Sequence, residues 1–316
     1  MSLLASSAAP IASLLALEIL AFAQSPAPAA PEKSAAEQAS PEKKDAPAAG
    51  EIVTVYHANG LKAREGHVVH GRREGVWKAW YENGADQYEG SFKDYLRTGH
   101  WKYFGRNGIL LSEGEWVDGH KQGPWILYGP KGQKMSEGSF DHDSRVGHWV
   151  SWWEDGGKAK EGDFLLDQKT GKWTYYSLEG VKSSEGPYVR NQQDGLWTKW
   201  HDPDHKQFEG HFIEGTEDGP WKRWHKNGQL EAEGVYRDGK MIGEWVGYYE
   251  NGQRSYVGHY DLGVRAGAWT DWYPDGQKKS EGNFIENKKT GEWHVWNEDG
   301  SINTAASGEY IDGVKR

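Results

Sequence analysis

The chain contains no cysteine in 316 residues. This excludes a disulfide framework, a thiolate metal site, a cysteine nucleophile and the lipid-acceptor cysteine of a bacterial lipoprotein. Basic residues do not dominate either: 37 Lys and Arg stand against 47 Asp and Glu, for a net charge of −10. Nucleic acids and anionic bilayers are both held through clustered Lys and Arg. The balance therefore speaks against nucleic acid as a partner and against direct binding to an anionic membrane. No G-x-S-x-G, phosphate-binding loop or H-E-x-x-H occurs, so the commoner enzyme signatures are missing. Helical periodicity is missing too, and a Gly every few residues would penalise a helix heavily.

Against these absences stands one insistent pattern. A Trp returns every 24 residues, at Trp77, Trp101, Trp125, Trp149, Trp173, Trp197, Trp221, Trp245, Trp269 and Trp293. A Gly stands two places before each, and three places after each comes another aromatic, from Trp80 and Phe104 through Trp272 and Trp296. A second Gly column runs in the same frame from Gly66 to Gly282. All 18 Trp lie within residues 77–296, so the capacity for burial is concentrated there. A short fixed period of this kind marks a repeat architecture and overrides any domain count based on length.

Each unit offers two short β-forming segments, such as HWKYF at 100–104 and SEGEW at 112–116. Asn-Gly or Asp-Gly separates them in many copies, including Asn59-Gly60, Asn83-Gly84, Asn107-Gly108 and Asn227-Gly228. These dipeptides supply the positive φ of tight hairpin turns. The return connection, such as VDGHKQG at 117–123, reads as longer. The expected fold is all-β: a single-layer, twisted antiparallel meander of ten repeats, two strands each, closed by atypical half-repeats. With strands about 4.8 Å apart, equivalent strands recur near 9.6 Å, and nine steps give a body about 85–95 Å long. The second segments carry their own rings, from Phe92 and Trp116 to Phe284, so aromatics on adjacent strands form one ladder. A Gly without Cβ lets a neighbouring ring lie across the backbone. A Trp and the aromatic three places later face opposite sides of a flat strand. Either both faces carry rings, or a bulge after the Trp brings them to one side.

The flanks differ from the repeats. Residues 1–23 are apolar and end in Ala21-Phe22-Ala23, a small-x-small pattern like that before a secretory cleavage site. The stretch lacks a basic n-region and holds Glu18, and Glu18 with Pro10 interrupts it as a membrane span. It is read as a signal peptide, which implies a periplasmic or secreted protein. Residues 24–50 are rich in Ala and Pro with no aromatic or β-branched residue, and read as a disordered linker. The repeat domain spans residues 51–316.

The pattern G-x-W-x-x-Y-x-x-N-G-x-x-x-x-E-G-x-Y resembles the variant form of the MORN repeat, found in bacterial proteins often described as antitoxin-like. The resemblance covers residues 52–313. It implies an elongated single-layer antiparallel sheet that serves as an interaction surface. The family name points to membrane recognition and the bacterial description to toxin neutralisation, and neither follows from a repeat signature alone.

Three functions are compatible with these features. The first is a non-enzymatic exported scaffold binding protein or envelope polymer along a sheet face. The second is a carbohydrate-binding module using exposed rings, and the third an antitoxin-like protein neutralising a partner toxin. The first Trp column, Trp77 to Trp293, reads as structural core. The second aromatic column and the variable position after it supply the candidate binding face: Trp80, Tyr81, Trp152, Trp153, Trp200, Trp224, Tyr249, Trp272 and Tyr273. A Glu precedes the second Gly in nine of ten copies and reads as a solvated row, with Lys or Arg three places earlier in seven. Identical environments would not split carboxyl pKa values as acid/base catalysis needs. His201, Asp202, Asp204 and His205 cluster where the frame breaks at HDPDH. They are weak metal candidates, since Pro203 equally suits a different turn type. No catalytic residue and no cofactor is expected.

Overall fold

The computed structural model describes residues 50–316. The signal-peptide reading of residues 1–23, and all but the last residue of the 24–50 linker, lie outside the described residues. Among the described residues there is no helix; 24 strands form an antiparallel sheet. Pairing follows chain order, each strand hydrogen-bonding to the next, as Arg72–Trp80 does to Asp86–Lys93 and that strand to Leu96–Phe104. One Trp strand is split: Gln192–Gln193 and Gly195–Trp200 flank Asp194, whose N–H bonds to the Pro187 carbonyl. The expected two-strand repeat is present throughout.

The turns are the reverse of the sequence expectation. The return connections are the tight ones, two residues long with both φ angles positive, as at Asp118 (48°) and Gly119 (87°). That is the mirror-image turn whose twist matches a hairpin. The Asn-Gly connections are five residues long, between Trp80 and Asp86 for example. There only the Gly has positive φ, with Gly84 at 83°. The Gly84 N–H bonds to the Tyr81 carbonyl, and the Tyr81 N–H to that of Ala85. The Asn works through its side chain instead: Asn83 Oδ1 accepts from the Ala85 N–H, and Nδ2 donates to the Arg106 carbonyl one repeat on.

Some tight turns hold residues poorly suited to positive φ. Leu166 adopts φ of 49° with its side chain 63% exposed. A branched apolar side chain there costs about 1 kcal/mol or more relative to Gly or Asn. Leu166→Asn is therefore expected to raise the unfolding free energy by about 0.5–1 kcal/mol. Urea titration checks it; a loss of stability would mean that Leu166 packs against a neighbour.

Both faces carry rings, and the register shifts on both sides of the Trp. After it, Tyr103 pairs with Ser112 and Phe104 with Leu110, leaving Leu111 of the facing strand as the extra residue. Before it, the Trp strand itself bulges. Glu89 pairs with Lys102 and Ser91 with Thr98, so Gly90 alone lies opposite Gly99, His100 and Trp101. Gly99 takes φ of +66°, open to a residue without Cβ, and the equivalent Gly in every repeat does the same. This explains the first Gly column. The second has another cause: the indole of each Trp lies flat on the Gly of the preceding strand, as Trp101 does on Gly90. The ten Trp are 0–7% exposed. Each Nε1–H donates to the carbonyl of the residue after that Gly, at 2.9–3.2 Å. The bond requires an indole, and Phe could not make it.

Between successive indoles stands the ring of the intervening strand. Phe92 meets Trp77 at 6.2 Å and Trp101 at 5.0 Å, both edge to face. Phe164 meets Trp149 at 6.1 Å and Trp173 at 5.1 Å in the same way. The chain of rings continues to Trp293 and Tyr310. Edge-to-face pairs contribute about 0.5–1.5 kcal/mol each beyond area burial. Stacked this way, one layer of sheet forms its own core. At the C-terminal edge no further Trp is available, and the Lys315 side chain lies against Gly308 instead. Its Nζ donates to the carbonyls of Thr304 and Ala305. That half-repeat is a cap, as expected.

Candidate binding faces

The sheet presents two chemically different faces. On the face opposite the indoles, the second aromatic column is half-buried at Trp80, Trp152, Trp200, Trp224 and Trp272. Lys62 sits 5.8 Å from the Trp80 ring, Lys134 5.2 Å from Trp152 and Lys206 5.5 Å from Trp224. The same lysines bond the Glu row: Lys62 to Glu65 at 2.6 Å and Lys134 to Glu137 at 2.6 Å. Where the ring is Tyr, its hydroxyl joins in, Tyr128 donating to Glu113 at 2.6 Å and Tyr176 to Glu161. Burial and the Glu161 bond push the Tyr176 hydroxyl up to about 12. The bond to Lys158, then that from Tyr176, holds Glu161 below the usual carboxylate range. The Glu row is thus knitted to rings and lysines as well as solvated.

Where the variable position after the second aromatic is Tyr or His, its side chain holds neighbouring repeats together. Tyr81 donates to the Phe104 carbonyl at 2.9 Å, Tyr249 to that of Trp272 at 2.7 Å and Tyr273 to that of Trp296 at 2.8 Å. His201 bonds the Trp224 carbonyl at 2.9 Å in the same way. The indole N–H of Trp153 is buried without a partner. Of the nominated face, the three tyrosines serve as tethers between neighbouring turns, while the five Trp of the second aromatic column are half-buried.

The HDPDH stretch is also internally engaged. Asp202 Oδ1 accepts from the N–H groups of Asp204 and His205 at 3.0 Å each and from His205 Nδ1 at 2.9 Å. The His205 bond leads in holding the Asp202 carboxyl below its usual range. His201 points elsewhere, to Trp224, and the Asp204 side chain is not brought in. This is an Asx-type turn in which the carboxylate replaces the Gly geometry.

The indole face carries a feature that single-repeat reading misses. Four places before the Trp stands a cation in seven repeats: Arg73, Arg97, Lys121, Arg145, Lys169, Arg265 and Lys289. Each lies over its indole and the next ring. Arg97 is 5.2 Å from Trp101 and 4.7 Å from Trp116; Lys121 is 4.7 Å from Trp125 and 5.0 Å from Phe140. The signal was present as a recurring Lys or Arg, but it fell within what reads as a polar return loop.

Lys169 is the most perturbed of the row. It lies 4.5 Å from Trp173 and 4.8 Å from Tyr188, and donates to the Tyr175 hydroxyl at 2.8 Å. Burial, followed by the charges of Lys160 and Arg145, lowers its ammonium pKa to about 8. Unfolded, the same group keeps its proton up to about 10.5. Between these values the unfolded state binds more protons, so stability climbs as pH rises from about 8. Above about 10 the climb reverses, because tyrosines held neutral by burial, such as Tyr188 and Tyr236, ionise first in the unfolded chain. Lys169→Met should flatten the climb in urea midpoints measured between about pH 7 and 10. An unchanged slope would place the titrating group elsewhere.

The MORN repeat variant family model matches residues 73–94, 97–118, 217–238, 241–261 and 265–286. No curated protein matches the chain in sequence. Among solved structures, the GtfA/B complex bound to UDP and GlcNAc is 9% identical with a TM-score of 0.16, covering 34% of this chain and 21% of that one. The TcdB2-TccC3 structure is 10% identical with a TM-score of 0.19, covering 80% of this chain and 17% of that one. The chain thus spans about a fifth of each of these structures, and likenesses so slight carry no argument.

Proposed function

This chain is a protein of MORN repeat variants, a repeat scaffold, and from that premise we propose that it is exported and binds a protein or envelope polymer along a sheet face. The observation that carries the reading is the constancy of the unit. From Glu51 to Lys315 the strands are joined mostly by turns of two and five residues, so the extended surfaces on offer are the faces themselves. Sites on scaffolds are ordinarily grafted on longer loops. The family is generally non-enzymatic, in keeping with a binding role. Export is supported by Ala21-Phe22-Ala23 and the apolar run before it.

The test is site-specific photo-crosslinking of the full chain in intact cells. One crosslinker replaces Lys121 on the indole face and another replaces Lys158 on the Glu face. A discrete adduct with an envelope protein or polymer from either position supports the scaffold. Background labelling at both removes it. An N-terminus at Gln24 in native material supports export. An intact N-terminus in the cytosol, with an adduct to a toxin, would move the assignment to the antitoxin reading.

A further inference from the structure

The indole face changes character along its length. Its outward registers are those of Arg64, Val68, Arg73 and Ala79, repeated every 24 residues. From Arg64 to Tyr175 these registers hold seven cations, Arg64, Arg73, Arg97, Lys121, Arg145, Lys160 and Lys169, and neither Asp nor Glu. Beyond Lys169 the cation row is interrupted by Gln193, Glu217 and Met241. A chain of net charge −10 thus concentrates positive charge on one half of one face.

Carboxylates of the tight turns border the row and pair with one member of it, Arg145. Arg145 Nε bonds Asp167 at 2.7 Å, and Asp143 takes His120 at 2.7 Å. Among the described residues Arg73, Arg97, Lys121, Lys160 and Lys169 form no ion pair. Burial pulls the ammonium groups of Lys121 and Lys160 down, as it does Lys169. Beside Arg97, the buried Trp116 indole N–H and Tyr103 hydroxyl have only each other within reach, and no further acceptor. The same registers three repeats on are satisfied, Lys169 donating to Tyr175, whose hydroxyl meets that of Tyr188 at 3.0 Å. Around Arg97 the face is rich in donors and short of acceptors.

We propose that the indole face from Arg64 to Lys169 docks an extended acidic polypeptide, one carboxylate per repeat. The proposal rests on the scaffold reading and names the partner. Rings on this face lie under the cations, so they give no platform for stacking a base or a sugar. What remains is charge at a pitch of about 9.6 Å. A polyproline II chain brings every third residue to one side at about 9.3 Å, which fits, whereas a β-strand repeats at about 6.6 Å. Packing over the rings holds the cations in place, which lowers the ordering cost of binding.

The test uses the full chain and a fluorescent peptide of about five Pro-Pro-Glu units, whose repeat matches the polyproline II pitch. Anisotropy should report binding that weakens with salt. A peptide of Pro-Pro-Gln units should not bind. Arg97→Gln/Lys121→Gln/Arg145→Gln should weaken binding at least about tenfold, and Lys134→Gln/Lys158→Gln/Lys182→Gln, on the other face, should leave it unchanged. Circular dichroism checks folding, and single Arg97→Gln and Lys121→Gln substitutions, each with a smaller loss, carry the test if the triple variant unfolds. No binding of the Glu peptide, equal binding of the Gln peptide, equal loss from the opposite-face variant, or tighter binding of polyphosphate would each overturn the proposal. An envelope adduct at Lys158 with no Glu-peptide binding would retain the scaffold and discard this face as its docking strip.

Discussion

Trp173→Ala is expected to lower the unfolding free energy of the repeat body by about 3–5 kcal/mol. The ring is 2% exposed and packs edge to face on Phe164 at 5.1 Å and Tyr188 at 6.2 Å. Its Nε1 bonds the Asp163 carbonyl at 3.1 Å. Truncation removes both ring contacts, opens a void over Gly162 and strips that carbonyl of a donor. A repeat array is held together by nearest-neighbour interfaces, so the loss falls on the seam between the two halves. Urea unfolding should therefore lose its single transition and show two, with the chain N-terminal to the seam melting separately from the rest. Trp152→Ala removes a half-buried ring from the other face and should cost much less. A loss below about 1 kcal/mol for Trp173→Ala would mean the indole column is not the core.

The same ring shows how far the sequence could be read. The 24-residue frame, the two strands per unit and the alternation of Trp with Phe or Tyr were legible, because ten copies average out local ambiguity. The turns were not. Asn83-Gly84 looks like a tight turn, but its Asn is selected for side-chain bonds to Ala85 and Arg106, which no dipeptide rule reveals. The true tight turns include Asp94-Tyr95 and Leu166-Asp167, where no Gly marks the positive φ. The candidate face was partly legible for a related reason. Variation at Tyr81, Tyr249 and Tyr273 resembles encoded recognition, yet all three hydroxyls hold the neighbouring repeat's backbone. The cation row was hidden by net charge: composition averages over two faces, and only the strand pleat separates Lys121 from Glu137.

Gly162→Ala should prove almost as damaging as losing the indole, although it adds a single carbon. The backbone of Gly162 has no positive φ, so alanine is conformationally acceptable there. The obstacle is steric: a Cβ would stand under 3.0 Å from Cδ2, Cγ and Cε2 of Trp173. That ring is pinned by Phe164, Tyr188 and its bond to Asp163, so it cannot step aside without breaking them. Overpacking of this kind costs about 1–3 kcal/mol, and a rigid buried ring places the site at the upper end. The mechanism makes a sharper demand than the single variant does. In a Trp173→Ala background the clash is gone, and Gly162→Ala should be neutral or stabilising by up to about 1 kcal/mol, since alanine restricts the unfolded chain. The double-mutant cycle should therefore return a coupling of about 2–3 kcal/mol. Additive losses would show that Gly162 is needed for its backbone rather than for the ring that lies on it, and the account of the second Gly column would have to be replaced.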